Sequence, residues 1–108
     1  MSHPSHFLAI HSHAEADDRT ILSLTGDVDL RTGPRLREEI LKAAAGPSTV
    51  VIDLENVQFM DSPGLGMLIH CHRQLVGQHV TMVVRSPHGD VRALFDMVDL
   101  ASVLNVVL

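Results

Sequence analysis

Hydrophobic and polar positions in this chain alternate, run together and then recur at helical spacing, and each change of period marks an element. Phe7 to His11 is a first strand, with Phe7, Ala9 and His11 facing away from Leu8 and Ile10. Thr20 to Thr25 alternates more clearly, Leu22 and Leu24 sharing one face and Ser23 and Thr25 the other. The polar stretch Ser12 to Arg19 between them is a hairpin loop, which makes the pair antiparallel. Gly26 breaks the second strand.

Residues 27–34 form an extended link into a helix capped near Thr32, whose apolar stripe is Leu36, Ile40, Leu41 and Ala43 or Ala44. Gly46-Pro47 ends it. Thr49 to Leu54 is apolar on consecutive positions, as in a strand covered on both faces within a parallel sheet. Leu65, Leu68, Ile69, His72, Leu75 and Val76 then fall at helical spacing, with Gly77 as the stop. Val80 to Val84 is a third buried strand. Ser86-Pro87 opens another helix, along which Val91, Leu94, Phe95 and Val98 follow the i, i+3, i+4, i+7 rule. Val103 to Leu108 returns as an edge strand. This order predicts a single α/β domain over residues 7–108: a mixed β-sheet with an opening antiparallel hairpin followed by βαβαβα, the helices packed on the sheet through right-handed crossovers. Residues 1–6 form a flexible N-terminal tail.

Composition narrows the function. A chain of 108 residues buries enough surface to fold as one domain without disulfides. Its 8 basic and 13 acidic residues leave a net charge of −5, and it has neither a Lys/Arg cluster nor tyrosine or tryptophan, which argues against a nucleic-acid partner. The apolar runs are too short to span a bilayer, and Met1 to His6 lacks the features of a signal peptide, so a cytoplasmic location and no membrane contact are expected. The single cysteine, Cys71, excludes an intrachain disulfide. A monomer or weak dimer is expected.

The stretch Phe59-Met60-Asp61-Ser62-Pro63-Gly64-Leu65-Gly66 joins a strand to a helix. Ser62 stands where an N-cap belongs, and Pro63 follows at N1, where its missing N–H costs nothing. Gly64 and Gly66 remove side chains that would crowd the Ser62 hydroxyl, so that another protein's backbone has room to approach. Two readings follow: Ser62 is an ordinary cap, or it is a contact hydroxyl displayed at the positive end of a helix. Phe59 suits a core or staple position better than a surface one. Asp29 is by position either a solvated turn residue or a contact.

Other chemistries fit poorly. His11 and His13 share a strand face, but no neighbouring cysteine or carboxylate completes a metal site; on a helix, His70 and His72 diverge by about 200°. His72 lies on the apolar stripe and is expected at the core edge with a hydrogen-bond partner. A hydrolase's nucleophile elbow needs glycine two residues before the serine, where this chain has Met60, and Pro63 removes the N–H that would complete the oxyanion hole. Neither an enzyme nor a metal or other cofactor is expected.

Met60-Asp61-Ser62-Pro63-Gly64-Leu65-Gly66 resembles the phosphorylation-site motif of STAS-domain anti-sigma-factor antagonists, which reads aspartate, serine, serine or threonine, glycine, leucine, glycine. Ser62 matches the serine that is phosphorylated in that family, and Pro63 replaces the second hydroxyl residue. Gly26-Asp27-Val28-Asp29, Thr32-Gly33-Pro34 with Leu36, and Arg92-Ala93-Leu94-Phe95-Asp96 resemble the family's flanking motifs, so the likeness spans about residues 7 to 107. Where the family has a glycine after its third helix this chain has Asp99.

That resemblance implies a protein that, unphosphorylated, binds an anti-sigma-factor serine kinase and frees a sigma factor. Phosphorylation of Ser62 then inactivates it, and a metal-dependent serine phosphatase resets it. The implied partner-binding surface comprises Asp29, Asp61, Ser62, Pro63, Gly64 and Leu65. The same domain also serves as a subunit of lipid-transport ABC systems or of stress-sensing assemblies without regulatory phosphorylation, the alternative that Pro63 leaves open.

Overall fold

The computed structural model describes residues 6–15, 18–97 and 103–107. Among the described residues, five strands and three helices follow the expected order: β1 (Leu8–Glu15), β2 (Arg19–Val28), α1 (Gly33–Ala43), β3 (Thr49–Met60), α2 (Ser62–Gly77), β4 (Thr81–Arg85), α3 (Gly89–Met97) and β5 (Asn105–Val107). They form one sheet in the order β1-β2-β3-β4-β5. β1 is antiparallel to β2, and every later pairing is parallel. Because each crossover steps in the same direction along the sheet, a common right-handed sense places all three helices on one face. The core lies there. Leu22 and Leu24 of β2, Ile52 and Leu54 of β3, and Met82 and Val84 of β4 pack with Leu36 and Ile40 of α1, Leu68 and Leu75 of α2, and Val91 and Phe95 of α3.

The other face is different in kind. Ile21 and Val51 are buried on it, outside that core, while Thr49 and Asp53 beside Val51 are only half-buried. Asp53 meets Arg85 across the β3/β4 pair at 3.1 Å. The apolar run in β3 is therefore buried on both faces as expected, Val51 as completely as Val50 and Ile52, although it lies outside the helix-covered core.

Three strands run beyond their expected ends. β1 continues through Ser12–Glu15, exposed from His11 onward, because pairing such as Ser12↔Leu22 and Ala14↔Thr20 holds this edge without burial. No apolar pattern marks such a strand. β2 passes through Gly26, which has φ +117°, with register shifts between Ser23 and Thr25 and between Gly26 and Asp27. The glycine is a bulge within the strand and not its end. β3 runs on to Met60, pairing Val57 with Gly26 and Met60 with Val28. This shared extension carries the ends of β2 and β3 past β4 and sets Asp29 and Asp61 close together.

Smaller differences concern the helices. Val76 is exposed on α2 and Cys71 takes the buried position, three residues after Leu68 and four before Leu75. α3 begins at Gly89 rather than at Ser86-Pro87, since Ser86 at φ +60° and Gly89 at φ +57° turn the chain first. The expectations for Val98 and for Asp99 as a C-cap fall outside the described residues. Among the described residues, no helix is long and apolar enough to cross a membrane.

Candidate functional site

The parallel strands β2 and β3 deliver two acidic turns to one end of the sheet. At the first, Asp29 is only 2% exposed. Its Oδ1 accepts hydrogen bonds from the N–H groups of Arg31 at 2.9 Å and Thr32 at 3.0 Å. The Asp29 N–H donates to Thr32 Oγ1 at 2.9 Å, and that hydroxyl donates to the Asp27 carbonyl at 2.9 Å. Thr32 is the N-cap residue of α1 as expected, but its side chain serves the loop and makes no capping bond to the helix. Burial pushes the Asp29 carboxyl up; the Thr32 N–H, the His6 ring and the Arg31 N–H together outweigh it and hold the group below its ordinary range.

At the second turn the cap of α2 is Asp61, one residue earlier than the sequence suggested. Its Oδ1 accepts from the Gly64 N–H at 2.7 Å, so Ser62 occupies the first helical position and Pro63 the second. A carboxylate is the better acceptor here because it also faces the helix dipole. Asp61 Oδ2 accepts from the Leu30 N–H at 3.1 Å and so ties the two turns together. Ser62, freed from capping, is exposed, and its hydroxyl makes no hydrogen bond among the described residues.

The remaining residues of the implied surface divide. Pro63 is exposed and Asp61 half-buried, whereas Leu65 is buried in the core and presents no side chain outward. Gly64 is also buried, for an internal reason: a Cβ there would lie 2.4 Å from the Val28 carbonyl oxygen. Only Gly66 behaves as expected of an open approach, with nothing within 4 Å of a Cβ. Asp29 sits behind its loop rather than on the surface. Phe59 is half-buried, and Met60 is buried.

Leu30 was not expected. It is 69% exposed, and with Pro34, Pro63 and Met67 it lines a cleft of about 200 Å³ between the first turns of α1 and α2. The signal available was an apolar residue between Asp29 and Arg31 that belongs to neither flanking periodicity.

Elsewhere, the His11 and His13 rings lie 5.5 Å apart on exposed β1, and no group of three or more potential ligands occurs among the described residues. His72 is half-buried, but its buried Nδ1 lacks the expected hydrogen-bond partner. Cys71 is buried against Met67, its Sγ 3.6 Å from the thioether sulfur, and burial pushes its thiol up to about 11 despite the opposing Arg37 charge.

Fold and site together define a mixed-sheet α/β domain that displays a free serine hydroxyl on the first turn of its second helix. Residues 11–107 match the family model described as Mlab, STAS domain, and the chain belongs to the STAS-domain family. The anti-sigma-B factor antagonist of Bacillus subtilis is 25% identical over 85 residues, covering 79% of this chain and 78% of that protein. Among solved structures, an anti-sigma factor antagonist from Mycobacterium paratuberculosis superposes with a TM-score of 0.84 at 24% identity, covering 95% of this chain and 87% of the other. The phosphorylated form of the Bacillus cell fate determinant SpoIIAA gives a TM-score of 0.69 at 21% identity, covering 91% and 90%. At these identities the two structures speak for the fold alone.

Proposed function

We propose that this chain is an anti-sigma-factor antagonist that works by partner switching. Unmodified, it binds an anti-sigma-factor serine kinase and so frees a sigma factor; phosphorylated on Ser62, it lets the kinase go; a metal-dependent serine phosphatase restores it. The observation that carries this reading is the exposed, unpartnered Ser62 hydroxyl beside the exposed apolar residues Leu30 and Pro63. Apolar groups flanking a small polar one suit a protein interface. The relationship to the Bacillus subtilis anti-sigma-B factor antagonist supports it.

Electrostatics supplies the off state. A phosphate adds a charge of about −1.5 to −2. On Ser62 it stands beside the half-buried Asp61 carboxylate, which already occupies the Gly64 N–H, while Pro63 offers none. The helix therefore gives the dianion little neutralisation, and a partner seated on Ser62 would have to bury it. The chain acts as a binding module rather than an enzyme, and its partners place it in the cytoplasm.

Incubation with the cognate kinase and ATP, followed by mass spectrometry, tests the reading. One phosphate on Ser62 is expected; an active kinase that leaves Ser62 unmodified overturns it. Pro63, standing where the family has a second hydroxyl residue, favours one alternative: a STAS subunit of a lipid-transport ABC system or a stress-sensing assembly, using the same face without phosphorylation. Co-purification with transporter subunits instead of a kinase would identify that case.

A further inference from the structure

β1 is an edge of the sheet, paired on one side with β2 and, among the described residues, with no strand on the other. Its register runs unbroken from Leu8↔Gly26 to Glu15↔Arg19. Backbone groups of successive residues in an antiparallel strand point alternately to its two sides. The Phe7 carbonyl accepts from the Asp27 N–H of β2 at 2.8 Å, whereas the Leu8 carbonyl, one residue on, accepts from the Arg35 guanidinium of α1 at 2.5 Å. Ile10, Ser12 and Ala14 share the parity of Leu8, so their N–H and C=O groups face away from β2. Edges of this kind are usually blunted by a lysine, a proline or a bulge. Leu8–Glu15 has none of the three.

The same strand carries His11 and His13 on the sheet face opposite the helix-covered core, paired with Ser23 and Ile21. Both side chains are exposed, and their rings lie 5.5 Å apart. Two imidazoles bound tetrahedrally to one zinc at about 2.0–2.1 Å have ring centres about 5 Å apart. One copy therefore holds two ligands at nearly the spacing that a shared ion demands, and what it lacks is the other half of the site.

A second β1 supplies that half. Laid antiparallel with Ser12 against Ser12, two copies set Ile10 of each against Ala14 of the other, and all three outward-facing residues find partners. Each such pair exchanges two hydrogen bonds. Shifting the register toward Leu8 meets the carbonyl already taken by Arg35. In the Ser12-centred pairing His11 of each copy stands directly opposite His13 of the other, at the non-hydrogen-bonded positions where Cα atoms approach to about 4.5 Å. Four imidazoles then share one face, with Glu15 two residues beyond each His13. Any extended peptide could satisfy the backbone of this edge, but only a second copy brings the two missing rings.

We propose that two copies of this chain pair edge to edge along β1 and hold one divalent transition metal of the zinc class between His11 and His13 of each. Imidazole suits such ions, and four nitrogen donors complete a closed, structural type of site. The site stands apart from Ser62, which opens α2 on the helix-covered side, and it does not rest on the proposed function.

Sedimentation velocity of the full chain, metal-free and with excess zinc, tests the proposal, with bound zinc counted by elemental analysis after gel filtration. Zinc should convert monomer to dimer with one ion per two chains. His11→Ala and His13→Ala alter exposed side chains and should unfold in urea as wild type does. Each should lose at least about tenfold in zinc affinity, the cost of removing even an outer partner of a bound metal. Ser12→Pro keeps both imidazoles and deletes the central outward N–H, a change that edge strands accept where that N–H faces solvent. Ser12→Lys, at an exposed position on the other face from the histidines, sets like charges opposite each other across the pair. Both should weaken the zinc dimer. A monomer that binds one zinc per chain, a zinc dimer that survives loss of either histidine, or no zinc binding overturns the site. A zinc dimer unaffected by both Ser12 variants overturns the β1 pairing.

Discussion

Leu30 and Asp61 are 31 residues apart in sequence, yet the backbone N–H of one donates to the carboxylate of the other across 3.1 Å. The second oxygen of that carboxylate caps α2 at Gly64. One side chain therefore fixes both the exposed apolar tip of the first turn and the helix end that carries Ser62. A serine presented to an incoming active site must be held in place, and this bond does so without using the hydroxyl itself.

Removing that carboxylate should cost more than an ordinary cap. Asp61→Ala is expected to lose about 1–2 kcal/mol in urea unfolding, with faster hydrogen exchange at the Leu30 amide, whereas Asp61→Asn retains an acceptor and loses less. An unchanged Leu30 exchange rate in Asp61→Ala would refute the tie between the turns.

Ser62 itself carries no structural bond, so Ser62→Ala should unfold within about 0.5 kcal/mol of wild type. It should still bind the kinase and never be released by ATP. Ser62→Asp places a permanent charge in the interface and should bind poorly. Equal capture of Ser62→Asp and wild type in a pull-down would count against the switch.

Two glycines of α2 should respond in opposite directions. Gly64→Ala drives a Cβ to 2.4 Å from the Val28 oxygen, so the backbone must shift, at a cost of about 1–3 kcal/mol. Gly66→Ala meets nothing within 4 Å and should stabilise the helix by about 0.5–1 kcal/mol. Denaturant titration of both variants separates the internal role of Gly64 from the open surface at Gly66.

The Asp29 carboxyl is held below its usual 3.8 in the folded chain, so its ionised form favours folding. That contribution is present above the unfolded value and disappears as pH falls through the folded one. The stability gap between wild type and Asp29→Asn should be widest above about pH 5 and narrow below about pH 4. A gap that widened on acidification would mean the carboxyl is favoured in its protonated form.

Cys71 offers a check on the core. With its thiol pushed up to about 11 by burial, it should resist a thiol reagent at pH 8 in the native protein and react fully in denaturant. Rapid native labelling would show that α2 packs more loosely than described.

Alternation in Thr20 to Thr25 and the apolar run from Thr49 to Leu54 were enough to place β2 and β3, because side chains facing a core must be apolar. The same rule is silent where backbone pairing alone holds a strand, as in Ser12–Glu15 of β1, or where a strand turns polar while still paired, as from Glu55 to Gln58 of β3. It also cannot tell a bulge from a break, which is why Gly26 looked like an end. Leu65 and Gly64 belonged to the right motif, but the core and the Val28 carbonyl claim them.

By itself, then, the order of residues determined the α/β succession, the helix start at residues 61–63 and the singular position of Ser62, since these depend on local periodicity and capping chemistry. Which acid caps α2, that Asp29 lies beneath His6, and that Leu30 stands beside Pro63 were decided only in three dimensions. Each depends on which hydrogen-bond partners and carbonyls distant segments bring together, and that follows from the register of β2 against β3 rather than from any local pattern.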